Sequence, residues 1–235
     1  MRPLHVLRPG RVAYDEALQL QRHLVEERRA GRIADTLLLL EHPHVLTVGV
    51  RRGSRANILA TDEELTRRGV AVHEAGRGGD MTYHGPGQLV GYPILDLRPD
   101  RQDVHRYIRD LEDVLIRTCN DFGLAAERLP GLTGVWVEGG SRGLEKVAAI
   151  GVRISRWMTS HGFALNVNTD LSFFGLIVPC GISDRGVTSL QARTGHAVAM
   201  ARVEDRVIEQ FAAVFEREVA EGARHREPVA AAVAP

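Results

Sequence analysis

Lysine is nearly missing from this chain. Of its 30 Lys plus Arg residues one is Lys146, so the other 29 are arginine. Cysteine is almost as scarce: Cys119 and Cys180 are too few for a disulfide framework, and they form no CxxC metal motif. Aromatic residues make up 5% of the sequence, and formal net charge at pH 7 is +0, which argues against broad binding of nucleic acid or other polyanions. No apolar run approaches the roughly 20 residues of a membrane span, and the N-terminal stretch MRPLHVLRPGRVAYDEALQ lacks the apolar centre of a signal peptide. A cytoplasmic protein that binds neither membrane nor nucleic acid is expected.

What is present is an ordinary globular composition, 44% hydrophobic and 26% charged over 235 residues, enough to bury a real core. Val12 to Gly31 has helical spacing of apolar residues and a glycine where a helix would stop. ADTLLLLEHPHVLTVGV reads as buried strand interrupted by Pro43. Thr61 and Glu64 form a capping box for a short helix ended by Gly69, and Val70 to Ala75 is strand. Asp103 to Gly123 is the clearest amphipathic helix, and Cys119 inside it is a core residue. GVWVEGG, KVAAIGVRISRW and HGFALNVN are β-rich runs with short breaks, as in an antiparallel meander. Val203 to Gly222 returns to helical period. The rest loses pattern, so residues 1–222 are expected to form one domain and 223–235 a disordered tail. Strands and helices without strict βαβ alternation predict an α/β protein of the α+β type, a mixed, largely antiparallel sheet with packed helices.

Three features could carry chemistry. The segment RGGDMTYHGPGQ, Arg77 to Gln88, is neither a dinucleotide fingerprint nor a phosphate loop; it is either a wide turn or a place where glycines admit close backbone approach beside Arg77, Tyr83 and His84. Cys180 lies in the turn-forming VPCGI, where a thiol near a cation would be a nucleophile, against the alternative of a buried structural cysteine. Lys146 is a surface residue that drifted from arginine, or an amine kept because only an amine can give and take protons. His84 and His161 each lie beside a glycine between strand-like runs.

RGGDMTYHGPGQLVGYPILDL, KVAAIGVRISRWMTSHGFALNVNTDLSFFGLIVPCGI and GVTSL, in that order, closely resemble the octanoyltransferases of lipoate biosynthesis, also called lipoyl(octanoyl) transferases. The resemblance runs from about Leu37 to Leu190. It implies the fold of the biotin and lipoate ligase catalytic core and a two-step acyl transfer: Cys180 takes the octanoyl group from acyl carrier protein as a thioester, and a lipoyl-domain lysine then takes it as an amide. The acceptors implied are the lipoyl domains of 2-oxoacid dehydrogenases and the glycine cleavage H protein.

By the same resemblance, Lys146 lowers the thiol's pKa and shuttles protons. Substrate binding falls to Arg77, Gly78, Gly79, Asp80, Met81, Thr82, Tyr83 and His84, to Ala149, Ile150 and Gly151, and to Gly162, Phe163 and Ala164; His161, beside the last three, is a candidate auxiliary on its position alone. Asp80 and Met81 stand where the family more often has glutamine and valine, which bears on pocket polarity and chain-length preference. Backbone amides of the Cys180–Gly181 turn, or of Gly78 and Gly79, are candidates for stabilising the tetrahedral oxyanion. No cofactor, metal or nucleotide is implied, and a monomer is expected. The alternatives are an ATP-dependent lipoate or biotin ligase, a non-catalytic binding module of the same fold, and a cysteine hydrolase releasing octanoate.

Overall fold

The structure is a computed structural model that describes residues 1–51, 53–139, 143–178 and 186–220. The chain runs β1 (Arg2–Arg11), α1 (Tyr14–Arg29), β2 (Asp35–Glu41), β3 (Val45–Val48), α2 (Asp62–Arg67), β4 (Ala71–Glu74), β5 (Thr82–His84), β6 (Gln88–Ile94), α3 (Val104–Asp121), β7 (Ala126–Leu129), β8 (Leu132–Glu138), β9 (Leu144–Ser155), β10 (Met158–Asn166), α4 (Leu190–Thr194), α5 (Met200–Phe215) and β11 (Arg217–Val219). Short 3-10 helices cover Ser54–Asn57 and Leu171–Leu176.

Eight strands form one sheet in the order β11-β1-β2-β6-β10-β9-β8-β7, and β4-β3-β5 form a small second sheet. In the large sheet β1 pairs parallel with both β11 and β2, and every other neighbouring pair is antiparallel. The mixed, largely antiparallel sheet expected from sequence is therefore the fold, and β8-β9-β10 is the expected meander.

The leucine run of β2 shows why a continuous apolar stretch is a strand here. Side chains alternate across a strand, so Leu37 and Leu39 join the core against α3 and α5, while Leu38 and Leu40 pack against Ala17, Leu20 and Leu24 of α1. Both faces of the sheet are thus covered by helices. Cys119 sits fully buried in the α3 face, where burial alone pushes its thiol up to about 12. That fits core packing. Thr61 and Asp103 cap α2 and α3 by accepting from the amides of Glu64 and Arg106. No helix among the described residues is long and apolar enough to cross a membrane.

Several expectations were corrected. The β1 strand and α4 carried too little periodicity to stand out in the sequence. Pro43 does not merely interrupt one strand: β2 and β3 belong to different sheets. The helix expected to reach Gly222 stops at Phe215, where Glu216 turns left-handed (φ 54°) and the chain enters β11 beside β1. Helical period continues past that point, but the free edge of β1 offers backbone partners and Arg217 finds a buried carboxylate, Asp35, at 2.9 Å. The tail, 223–235, lies outside the described residues.

Candidate active site

The glycine-rich segment is folded against β9 and β10 rather than projecting as a turn. Arg77 holds it there: Nη1 donates to the carbonyls of Asp80 (2.8 Å) and Gly78 (3.1 Å), and Nη2 donates to the carbonyl and hydroxyl oxygens of Thr47 in β3 (2.9 and 2.7 Å). The Gly78 amide donates to the Val152 carbonyl at 2.9 Å. Gly78 is therefore engaged with β9, which removes its amide as an oxyanion donor. Gly79 makes the bend with a left-handed φ of 91° that favours glycine, and its close approach to Gly49 requires Gly49 to lack a side chain: a Cβ there would lie 2.3 Å from the Gly79 carbonyl oxygen.

Between this loop, β9, β10 and the start of α1 is a narrow cavity of about 50 Å³. Arg77, Gly79, Asp80, Met81, Thr82 and His84 line one side, Ala149, Ile150 and Gly151 of β9 a second, and His161, Gly162, Phe163 and Ala164 of β10 a third. Gly78 and Tyr83, also expected there, do not line it; Tyr83 is fully buried against Phe173 and Phe174 in the core of the small sheet. Tyr14 and Tyr92 line the cavity although the sequence reading did not select them. With four tyrosines in the chain, two converging on one cavity are a signal that aromatic scarcity could have raised. The Asp80 carboxylate is turned to the 3-10 turn at Ser54–Asn57, where the Asn57 side-chain amide donates to its two oxygens at 3.1 and 3.0 Å. Burial pushes its pKa up, but bonds from Ser54, the Met81 amide and Asn57, with the Arg51 charge, outweigh that and hold it below the usual range.

The histidines around the cavity are neutral, and two of their tautomers follow from their partners. Burial, with the nearby Arg77 and Arg153 cations, takes His161 down to about 4. Burial likewise takes His42 to about 4, and its Nδ1 faces the Val12 carbonyl at 2.7 Å, an acceptor only, so Nδ1 carries the proton. Its Nε2 then accepts from the Tyr92 hydroxyl at 2.8 Å. His84 is lowered well below its ordinary value by burial, next by His42 and Arg77. Its Nδ1 faces Gln88 Oε1 at 2.7 Å, while the Gln88 amide nitrogen donates to Tyr83 O (3.2 Å) and Asn166 Oδ1 (2.9 Å). His84 must therefore donate from Nδ1, which leaves Nε2 with its lone pair.

That bond continues into a chain. Asn166 donates to the Thr188 carbonyl at 2.9 Å, and the Thr188 amide donates to the Lys146 carbonyl at 2.9 Å. Where β10 stops pairing with β9, residues 186–188 take over the same edge: the Lys146 amide donates to the Gly186 carbonyl at 2.9 Å, and Lys146 bridges Val187. The cavity loop and the strand bearing the single lysine are thus joined by buried hydrogen bonds through Gln88, Asn166 and Thr188. None of these three was selected from sequence.

Lys146 does not line the cavity but lies on β9 three residues before its wall at Ala149, about 10 Å along the strand. A bulge sets its direction. Val135 of β8 pairs with Ala148 and Trp136 pairs with Lys146, so β9 carries one extra residue, Val147. Consistent with that slip, Val147 and Ala148 both belong to the core on the same face. The Lys146 ammonium lies 4.6 Å from the centroid of the Trp136 ring. Gly134 (φ 124°) leaves room for the stem, since a Cβ there would come within 3.2 Å of Lys146 Cε. Cys180 and Gly181 lie outside the described residues; the flanking Val178 donates its amide to the Asn57 carbonyl at 2.8 Å.

The model of the lipoyl protein ligase A/B catalytic domain matches residues 13–212. An octanoyltransferase from Acidobacterium capsulatum is 56% identical over 226 residues, covering 92% of this chain and 92% of that protein. Among solved structures, lipoate-protein ligase A bound with ATP superposes with a TM-score of 0.71 at 14% identity, covering 95% of this chain and 91% of the other. The bi-partite lipoate protein ligase of Thermoplasma acidophilum, described with its E2 lipoyl domain, gives 0.67 at 16% identity over 95% of this chain and 88% of that one. At such identities these two structures speak for the fold alone.

Proposed function

On the premise that this chain belongs to the octanoyltransferases of the lipoyl protein ligase A/B catalytic-domain family, we propose that it moves the octanoyl group from acyl carrier protein to lipoyl-domain lysines through a Cys180 thioester. In the first step the Cys180 thiolate attacks the carbonyl carbon of the octanoyl thioester. The tetrahedral adduct collapses with the carrier's thiolate as leaving group, which takes a proton from the Lys146 ammonium. In the second step the acceptor's lysine amine attacks the acyl-enzyme, an amide forms, and Cys180 leaves as thiolate while the amine's proton passes to the Lys146 amine. Thioester-to-thioester exchange is close to balanced and thioester to amide is downhill, so no nucleotide enters.

The observation that carries this reading is the placement of the narrow cavity on the strand that bears Lys146. Its walls suit an alkyl chain: Ala149, Ile150, Gly151, Phe163 and Ala164 offer apolar surface, and the histidines beside them are neutral. Burial at about 0.8 kcal/mol per methylene makes such a slot sensitive to chain length. Residues 1–222 act as one catalytic unit, and the protein works as a cytoplasmic monomer. The acceptors are the lipoyl domains of 2-oxoacid dehydrogenases and the glycine cleavage H protein.

Intact-protein mass spectrometry tests the route. Incubation with octanoyl acyl carrier protein should add one octanoyl group to wild type, discharged by a lipoyl domain, and none to Cys180→Ser. Lys146→Arg keeps a cation but not a titratable amine, so acyl transfer should fall by about 10²- to 10⁴-fold. Transfer that required ATP, or an undiminished Cys180→Ser variant, would refute the thioester mechanism.

A further inference from the structure

His161 stands between two spaces. On one side is the narrow cavity of about 50 Å³, and on the other a surface groove of about 370 Å³ formed by Leu18, Gln21 and Arg22 of α1 with Arg153, Met158 and their neighbours. His161 is the one residue common to both linings. Helix α1 makes the same division one turn apart: Tyr14 lines the cavity and Leu18 lines the groove.

Position along β9 fixes which end of the cavity this is. Lys146 precedes the cavity wall at Ala149 to Gly151, and Arg153, which lines the groove, follows it. An acyl chain whose thioester lies on the Lys146 side therefore points its methyl end at His161. The ring is buried and is met by the Tyr92 ring edge-on, with centroids 6.2 Å apart. The backbone beneath it is fixed as well: the His161 amide donates to Gln21 Oε1 at 2.7 Å, and its φ of 55° is left-handed. A non-glycine residue held there inside a strand is strained, and such strain persists where surrounding contacts impose it. The Gln21 bond is one of those contacts.

We propose that His161 is the end wall of the acyl slot and that its imidazole, by separating the slot from the groove, sets the longest chain the enzyme accepts. The inference rests on the octanoyl-transfer reading. Truncating the ring joins the cavity to the groove, where Leu18, Val25 and Met158 offer apolar contacts among charged neighbours such as Arg22, Glu26 and Arg153, so additional methylenes can leave the slot's far end and stay partly buried. A neutral ring suits this place, because a charged one would have to give up its hydration to be covered by a methyl end.

The test compares wild type with His161→Gly, a substitution that the left-handed backbone favours, using octanoyl, decanoyl and dodecanoyl acyl carrier protein as donors and a lipoyl domain as acceptor. The ratio of kcat/KM for decanoyl over octanoyl should rise severalfold in the variant, up to about tenfold, the amount that full burial of two more methylenes corresponds to. A loss of activity equal at all chain lengths, or an unchanged profile, overturns the wall while leaving octanoyl transfer intact. If wild type transfers none of the three chains, the functional reading falls and the wall with it. His161→Asn, short and tolerant of the left-handed backbone, gives the same comparison if the glycine variant does not fold.

Discussion

Gln88 is the node on which the cavity loop and the lysine strand depend. Replacing it with leucine keeps its volume and removes three buried partners at once: the His84 Nδ1 proton at 2.7 Å, the Asn166 side-chain oxygen at 2.9 Å and the Tyr83 carbonyl at 3.2 Å. Gln88 is 1% exposed and His84 and Asn166 are buried beside it, so water does not replace what is lost. Each orphaned group costs about 1–3 kcal/mol, and the longest of the three contacts counts least, so Gln88→Leu should cost roughly 3–5 kcal/mol. In a chain of this size that lowers the midpoint of thermal unfolding by roughly 6–20 °C. Equilibrium unfolding in urea gives the free energy directly.

A double-mutant cycle separates the network from simple packing. Asn166→Leu alone breaks the bond to Gln88 and the one to the Thr188 carbonyl. The double variant loses the shared Gln88–Asn166 bond only once, so its cost should fall short of the sum by about 0.5–3 kcal/mol. A single-variant cost below about 1 kcal/mol, or strict additivity, would show that the relay from His84 to Lys146 does not act as one unit.

Acid should destabilise the protein earlier than its carboxylates alone would. His42 and His161 bind protons near 6.5 when unfolded but near 4 when folded, because burial disfavours their charged forms. Between those values the unfolded chain holds more protons, so stability is level above about pH 6.5 and falls as pH drops toward 4, by about 3 kcal/mol for each residue at completion. Urea unfolding from pH 7 to 4 checks this, and a flat profile down to pH 5 would contradict it. Asp35 is 1% exposed at its side chain and holds Arg28 and Arg217 at 2.8 and 2.9 Å. Asp35→Asn leaves the Arg217 guanidinium buried without its counter-charge, so a loss of about 3–5 kcal/mol is expected by the same assay. A loss within 0.5 kcal/mol would place that pair among the idle ones, at about the scale of exposed ion pairs.

Local chemistry determined what could be read from the sequence. The helices capped by Thr61 and Asp103, the stop glycines at Gly69 and Gly123, the burial of Cys119 and the strand character of the leucine run all follow from interactions within a few residues or from side-chain period. The resemblance of the Arg77 segment and the β9–β10 region to octanoyltransferases was legible because those blocks survive as contiguous words. Lys146 stood out for a compositional reason, since a chain that otherwise uses arginine writes lysine once.

Only the tertiary structure decided the rest, because it depends on partners far apart in the chain. The end of α5 at Phe215 is set by β1 and Asp35, 182 residues from Arg217, where helical period alone would have carried on. The Val147 bulge that aims Lys146 is a mismatch between two strands, a property of neither alone. Gln88, Asn166 and Thr188 look like unremarkable polar residues until folding removes water from around them and leaves only one another as partners. His161 was one glycine-flanked histidine among 10 in the sequence. Its place between a narrow cavity and an open groove exists only once α1 is laid across β10.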